Sequence, residues 1–437
     1  MKTKYLLASA CALCLSKPAL AQDHQHHEGM DMSMPQEQVG RGQHDHAAEG
    51  PIVLTDRRVP ANAEGSGTAR LPVNEGGMHG LHIMPGDDWM LMLHGNVQGN
   101  YTDHSGPRGD DKAYVTSMLM ATAQKDTGWG RVQLRSMMSL EPAMDSRGYP
   151  NLFATGETSR GEPLVDRQHP HDLFMELAAR IDFDAFRHSS FFLYGGPVGE
   201  PALGPSAFMH RGSAALNPEP PITHHWFDST HITYGVVTAG YASPRWQIEA
   251  SAFRGREPDE RRWNIETPKL DSWSVRLSYN PTPSWSMQVS HGFLKEPEST
   301  HPGANEHRTT ASVHYADGTG LSAMAAFSAK NRDPGGTLTA WLAEATWNLG
   351  QHHTIFGRIE NVANDELFPD HADLLHDQRF RVTKMQAGYA YRLPLTDLVS
   401  LAFGGSANLY VKPNAVDAAY GRNPWGYTVF TRLSLGH

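Results

Sequence analysis

The chain has 437 residues, with 47 acids against 37 lysines and arginines and a net charge of −10. That balance, with a sequence pI near 6.2, gives no general reason to expect nucleic acid as a partner. Its two cysteines, Cys11 and Cys14, both lie near the start, so the rest of the chain excludes disulfides, thiolate nucleophiles, Fe–S clusters and blue-copper sites.

Residues 1–21 read as a secretory signal peptide: Lys2 and Lys4, an apolar centre over 5–15, and Ala19-Leu20-Ala21 before Gln22. A lipoprotein signal centred on Cys11 is the weaker alternative, because the apolar run before it is very short. The next segment, 22–87, is poor in aromatics and rich in Gly, Pro, His and acids. It is expected to be largely disordered, with a short ordered piece near "LPVNEGGMHGLHIM". Its start, "DHQHHEGMDMSM", gathers His24, His26, His27, Met30, Met32 and Met34, and His44 and His46 follow. Thioethers suit Cu(I) and Ag(I), whereas imidazoles suit Cu(II), Zn and Ni, so a flexible tail of this kind can collect several such ions. A solvated tail that binds nothing is the alternative.

From Trp89 the texture changes to alternation with period two. In "DWMLMLHGNVQGNY", Trp89, Leu91, Leu93, Val97 and Tyr101 share one face, and Met90, Met92, His94 and Asn96 the other. "GRVQLRSMMSL", "DLFMELAARIDF", "DSWSVRLSYN" and "LVSLAFGGSANLY" repeat the pattern. "DLFMELAARIDF" places Met175 with Leu173, Leu177 and Ile181 on the apolar face; it could also be a helix, but its clean alternation favours a strand. About sixteen such segments occur, each near the ~9–11 residues that cross a bilayer as a tilted strand. Their connections alternate long and short, for which a soluble sandwich has no reason. Residues 88–437 are therefore expected to form an all-β, antiparallel, up-and-down transmembrane β-barrel with short periplasmic turns and long external loops. A mean hydropathy of −0.49 is compatible, since such strands alternate lipid-facing and water-facing residues. Trp246, Trp273, Trp285, Trp341 and Trp347 sit where strands should meet the interfaces.

The last segment, "WGYTVFTRLSLGH", resembles the final strand of bacterial outer-membrane proteins, with Leu433, Leu435 and His437 in the alternating places; in that family a terminal aromatic holds the place of His437. The resemblance implies recognition by the barrel-assembly machinery, contact with outer-membrane lipid, and a periplasmic N-terminal segment. The His/Met-rich start resembles, in composition, the N-termini of the outer-membrane copper resistance protein B family. That implies copper, silver or zinc as an ion bound or carried, with no cofactor otherwise required. Likeness to sixteen-stranded porins allows a homotrimer and implies that the loop after the fifth strand, 196–228, folds inward.

Two constellations could carry the chemistry. With the faces above, Met90, Met92 and His94 point into the lumen, Met137 does so on the third strand, and one parity of "KAYVTSMLMATAQ" adds Met118 and Met120. The opposite parity, with Val115 and Leu119 inward, halves the cluster. In the loops, "RQHPHD" offers His169, His171 and Asp172, "AFMHR" offers Met209 and His210, and "THHWFDSTH" offers His224, His225, Asp228 and His231. Each set also has a plain reading, as lumen packing and as loop hydrogen bonding. No G-x-S-x-G, P-loop, H-E-x-x-H or dinucleotide fingerprint stands out, so an enzyme is not expected. Three functions remain: a metal-handling outer-membrane barrel; a general or anion-selective porin with inward Arg135, Arg180, Arg276, Arg358, Lys384 and Arg392; or a soluble periplasmic metal-binding β-protein.

Overall fold

The structure, a computed structural model, describes residues 63–76, 80–86, 88–186 and 188–436. The signal peptide, the His/Met-rich stretch through His46, and His437 lie outside the described residues.

Sixteen strands close into one antiparallel barrel. They are β1 Trp89–His104, β2 Asp111–Thr127, β3 Gly130–Met138, β4 Phe174–Asp184, β5 Ser190–Gly199, β6 Thr233–Ala242, β7 Trp246–Phe253 and β8 Ser272–Tyr279, then β9 Trp285–Leu294, β10 Asn305–Ala316, β11 Leu321–Asp333, β12 Thr337–Leu349, β13 His353–Asn364, β14 Phe380–Pro394, β15 Val399–Val411 and β16 Trp425–Leu435. Each pairs with its sequence neighbours, and β16 returns to β1 with Leu435 opposite Gly95. Closure satisfies the strand ladder all round, which is the condition for irregularity-free crossing of hydrocarbon.

The alternation decides which way each strand faces. Val97, Val115, Leu134, Ile248, Leu277 and Ile359 stand exposed on the outside, and their neighbours in sequence face the lumen, most of them buried. Val115 and Leu119 face out, so β2 adopts the parity that turns Met118 and Met120 inward. Aromatics gather at two levels. Trp246 stacks on Tyr279 at 4.0 Å and Trp285 lies 4.7 Å from Tyr315 near the turns, while Tyr101, Tyr427 and Trp425 sit near the loops.

One end carries short turns, such as 128–129, 243–245 and 350–352, and the other carries the loops. The long loop expected after Tyr101 is corrected to 105–110, because β1 continues to His104 and β2 begins at Asp111, and the medium connection expected at 331–336 shortens to 334–336 as β11 continues to Asp333. The longest are L2 (139–173) and L3 (200–232); L4 is 254–271.

L3 folds into the bore and crosses it. Near its start, the Ala202 and Gly204 amides donate to Ser251 Oγ and Ser290 Oγ, both at 2.8 Å, on β7 and β9. Further along, Glu219 meets Lys384 Nζ at 2.8 Å on β14 and Asn408 Nδ2 at 2.9 Å on β15. The chain before the barrel fills much of the remaining lumen. Residues 63–76 form a hairpin whose short strands, Ala63–Glu64 and Arg70–Leu71, are joined by a turn with Gly67 at φ +53°. Leu81–Ile83 then pairs with the start of β1.

This corrects the expected disorder over 63–70, while the short ordered piece expected at 71–84 is present in the turn Val73–Glu75 and the strand Leu81–Ile83. The hairpin is polar because its surroundings are polar: Thr68 bonds Glu249, Arg70 Nε donates to Gln247 at 3.1 Å, and the Gly67 carbonyl accepts from Arg135. Arg276 ties three parts together, donating to Glu249 on the wall, the Gly204 carbonyl of L3 and Thr68 of the hairpin at 2.9–3.0 Å. A segment that buries itself by hydrogen bonding has the composition of a disordered one.

Candidate functional site

The register of the first four strands sets a row of soft donors across the lumen wall. His94 on β1 lies opposite Met120 on β2, Met120 opposite Met137 on β3, and Met137 opposite Glu176 on β4. A bulge between Phe174 and Glu176 then turns Met175 inward, where it is 1 % exposed. Met120, Met137 and Met175 pack together with Val198, Ile232 and Tyr234, and Met118 and Met209 rest against them.

L3 brings imidazoles to this row. His210 Nε2 stands 3.2 Å from Met137 Sδ; a thioether only accepts, so in the ion-free lumen this nitrogen carries the proton, and ligation moves it to Nδ1. His231 holds its Nδ1 2.7 Å from the Asp228 carbonyl, which can only accept, so Nε2 keeps its lone pair; that atom is buried without a partner. A ligating imidazole is normally fixed in this way by its other nitrogen. Met137, Met175, His210 and His231, with Ser66, Glu176 and Glu200, border one small cavity of about 10 Å³, the size of a single water or small ion. A larger cavity of about 340 Å³ runs from Arg432 and Ser434 at the turn end to Met118, Met209 and His171.

The electrostatics suit an ion of low charge. Burial, with His94 and Arg135 nearby, lowers His210 to about 3, and burial also carries His231 well below its usual value. Both are therefore neutral at physiological pH. Glu200, on the same small cavity, is pushed up to about 8 by burial and is mostly protonated there. Glu176 is already taken by Arg135 at 3.0 Å and Tyr194 at 2.7 Å. His171 differs: burial opposes its charge, but Glu141, 2.9 Å from Nδ1, raises its pKa, so it is a poorer ligand at neutral pH.

The sequence candidates divide accordingly. Met118, Met120, Met137, Met209 and His210 come together, with His94 in the same row. Met90 and Met92 share the inward face but sit nearer the turn end, opposite Gln124 and Thr122, outside the row. His224 is held by Asp228 at 2.7 Å. Asp172 is held by Arg262 at 3.0 Å and Tyr234 at 3.1 Å. His169 and His225 lie apart, against Glu157 and Glu257. Alternation places Met175 on the apolar face with Leu177 and Ile181, but it lies inward, because alternation gives no sign of a bulge. Of the inward bases, Arg135, Arg180, Arg276, Arg358 and Lys384 each pair with a buried carboxylate, so they supply no free positive lining for an anion path. Arg392 donates to Asn348.

The closed barrel, its apolar belt and the inward loop define the class: an outer-membrane barrel of porin architecture. Among solved structures it is similar to Salmonella typhi OmpF, solved in complex with daunomycin (TM-score 0.51, 9 % identity, 81 % of this chain and 100 % of that one). It also resembles the anion-selective porin from Comamonas acidovorans (TM-score 0.48, 12 % identity, 80 % of this chain and 100 % of that one). At such identities the likeness is one of fold. No family model and no curated protein matches the sequence, so the tail's likeness to the copper resistance protein B family stays compositional.

Proposed function

We propose that this protein is a metal-handling outer-membrane barrel whose lumen binds soft monovalent ions, Cu(I) or Ag(I). The observation that carries the reading is the neutral His210 nitrogen 3.2 Å from the Met137 sulfur, in an ion-sized cavity also bordered by Met175 and His231. Thioether with neutral imidazole selects soft ions, and the scarcity of free carboxylates there disfavours hard cations. In the same reading the turn end is periplasmic, and His24, His26, His27, Met30, Met32, Met34, His44 and His46 collect ions in the periplasm. The chemistry on offer at this cavity is ligation.

The test is Ag(I) titration of the full chain refolded in detergent, in competition with a chromophoric chelator. Met137→Leu combined with His210→Gln should remove one tightly held equivalent while the barrel keeps its heat-modifiable gel mobility. An unchanged stoichiometry in that folded variant contradicts the proposal and leaves the general-porin reading in its place.

A further inference from the structure

A second cluster lies at the loop end, apart from the thioethers. Glu157, at the start of the short strand Glu157–Ser159 in L2, His169 further along L2, and His225 on the single helical turn His224–Phe227 of L3 each offer one ligand atom. These atoms all lie within 4.8 Å of one another. Gly156 makes the approach possible: a Cβ at this residue, with φ +108°, would fall 2.6 Å from the His225 ring. Glu257 of L4 adds an oxygen 3.3 Å from His225 Nδ1.

The hydrogen bonding of this cluster does not close. His169 Nδ1 is 2.9 Å from the Pro170 carbonyl, an acceptor only, so the proton is on Nδ1 and the lone pair on Nε2. Yet Nε2 stands 3.1 Å from Glu157 Oε1, acceptor against acceptor, and is buried with no hydrogen-bond partner. His225 Nδ1 and Glu257 Oε1 are likewise buried without one. Buried polar atoms normally find partners, and two acceptors at this spacing call for something positive between them; in the metal-free site that is a proton, since burial raises Glu157 to about 7 and, against burial, Glu257 raises His225 to about 9, and a metal ion takes its place. Arg262 does not supply it, because its guanidinium goes to the other oxygen, Glu157 Oε2, and to Asp172, both at 3.0 Å. That contact orients the carboxylate as an outer partner of a metal ligand does. A comparable trio, Glu298, His301 and Glu366, is less suited, since Lys330 and Arg332 already occupy Glu298.

We infer that Glu157, His169 and His225 form a site for a borderline divalent cation, of the Zn(II) or Cu(II) class, that staples L2 to the constriction loop L3. Two imidazoles and a carboxylate without sulfur match that class; calcium and magnesium prefer all-oxygen shells, and soft monovalent ions prefer thioethers. The site is independent of the thioether cluster, so either can exist without the other.

Co(II), a Zn(II) surrogate with visible bands when four-coordinate, is the probe, added to the full chain refolded in detergent after chelator treatment. The wild type should develop one equivalent of an intense band that Zn(II) removes. His169→Gln and His225→Gln should each lose it. Met137→Leu with His210→Gln should keep it, as should a chain with His24, His26, His27, His44 and His46 all changed to Gln. If His169→Gln does not regain heat-modifiable mobility, Glu157→Gln, whose amide oxygen still accepts from Arg262, should weaken Zn(II) binding by at least ~10–100-fold. Equal binding by wild type and the loop variants, or loss of the band with the tail substitutions alone, overturns the assignment.

Discussion

At the residue scale, the lumen is governed by which buried groups keep their charge. Glu200 lines the small cavity beside His210, and burial pushes it up to about 8. A carboxyl raised in the folded state binds protons that the unfolded chain releases, so its contribution to stability is full below the unfolded value near 4.3 and is lost as pH rises toward 8. Glu200→Gln should therefore flatten the fall in urea resistance over that window and raise stability at pH 9 by a few kcal/mol. Unfolding curves in detergent at several pH values check this, and parallel curves for variant and wild type would contradict it. In the N-terminal stretch, histidines with an ordinary pKa near 6.5 should bind Cu(II) less well as pH falls from about 7 to 5. Cu(I) held by Met30, Met32 and Met34 should survive that drop, since thioethers carry no proton there. Titrating a peptide of residues 23–46, with and without Met→Leu at the three positions, separates the two.

At the scale of elements, the outside of the barrel is a lipid surface and the inside is packed. Leu277→Arg, on the exposed face of β8, should cost roughly 2–4 kcal/mol near the bilayer midplane. In an open pore the same change at Ser278 would be mild. Here Ser278 is buried between Gln247 and Gln288, on the wall that the hairpin covers, so Ser278→Arg should also destabilise, by about 1–3 kcal/mol through overpacking. Deleting residues 63–76 should raise single-channel conductance in planar bilayers, and an unchanged conductance would show that the hairpin does not block the bore. The strands were legible because a bilayer outside and a polar lumen inside impose period two on every crossing; the largest departure is β6, which begins at Thr233 where a start near 229 is expected. The hairpin was not legible, because Ser66, Thr68 and Arg70 are stabilised by partners more than a hundred residues away. Met175 was hidden for a related reason, as a single bulge inverts one side chain without disturbing the pattern around it. The candidate residues of wall and loop were visible separately. Only the inward course of L3 puts His210 on Met137.

At the scale of the whole molecule, three layers meet at one level of the bore: the strand wall, the hairpin and L3, with Arg276 bonded to all three. On the proposed function, the small cavity selects ions by the Met137 and Met175 sulfurs and the neutral His210 and His231 at its border; Arg276, Arg358 and Lys384 are paired with acids, while Arg432 lines the larger cavity. The most direct measurement is anomalous diffraction from crystals of the full-length barrel grown with Ag(I). A lumen that handles soft ions should give a peak bounded by Met137 Sδ, His210 Nε2, Met175 and His231, and it should vanish in Met137→Leu with His210→Gln. Silver found only elsewhere, with that cavity empty at saturating Ag(I), would contradict the metal-handling function.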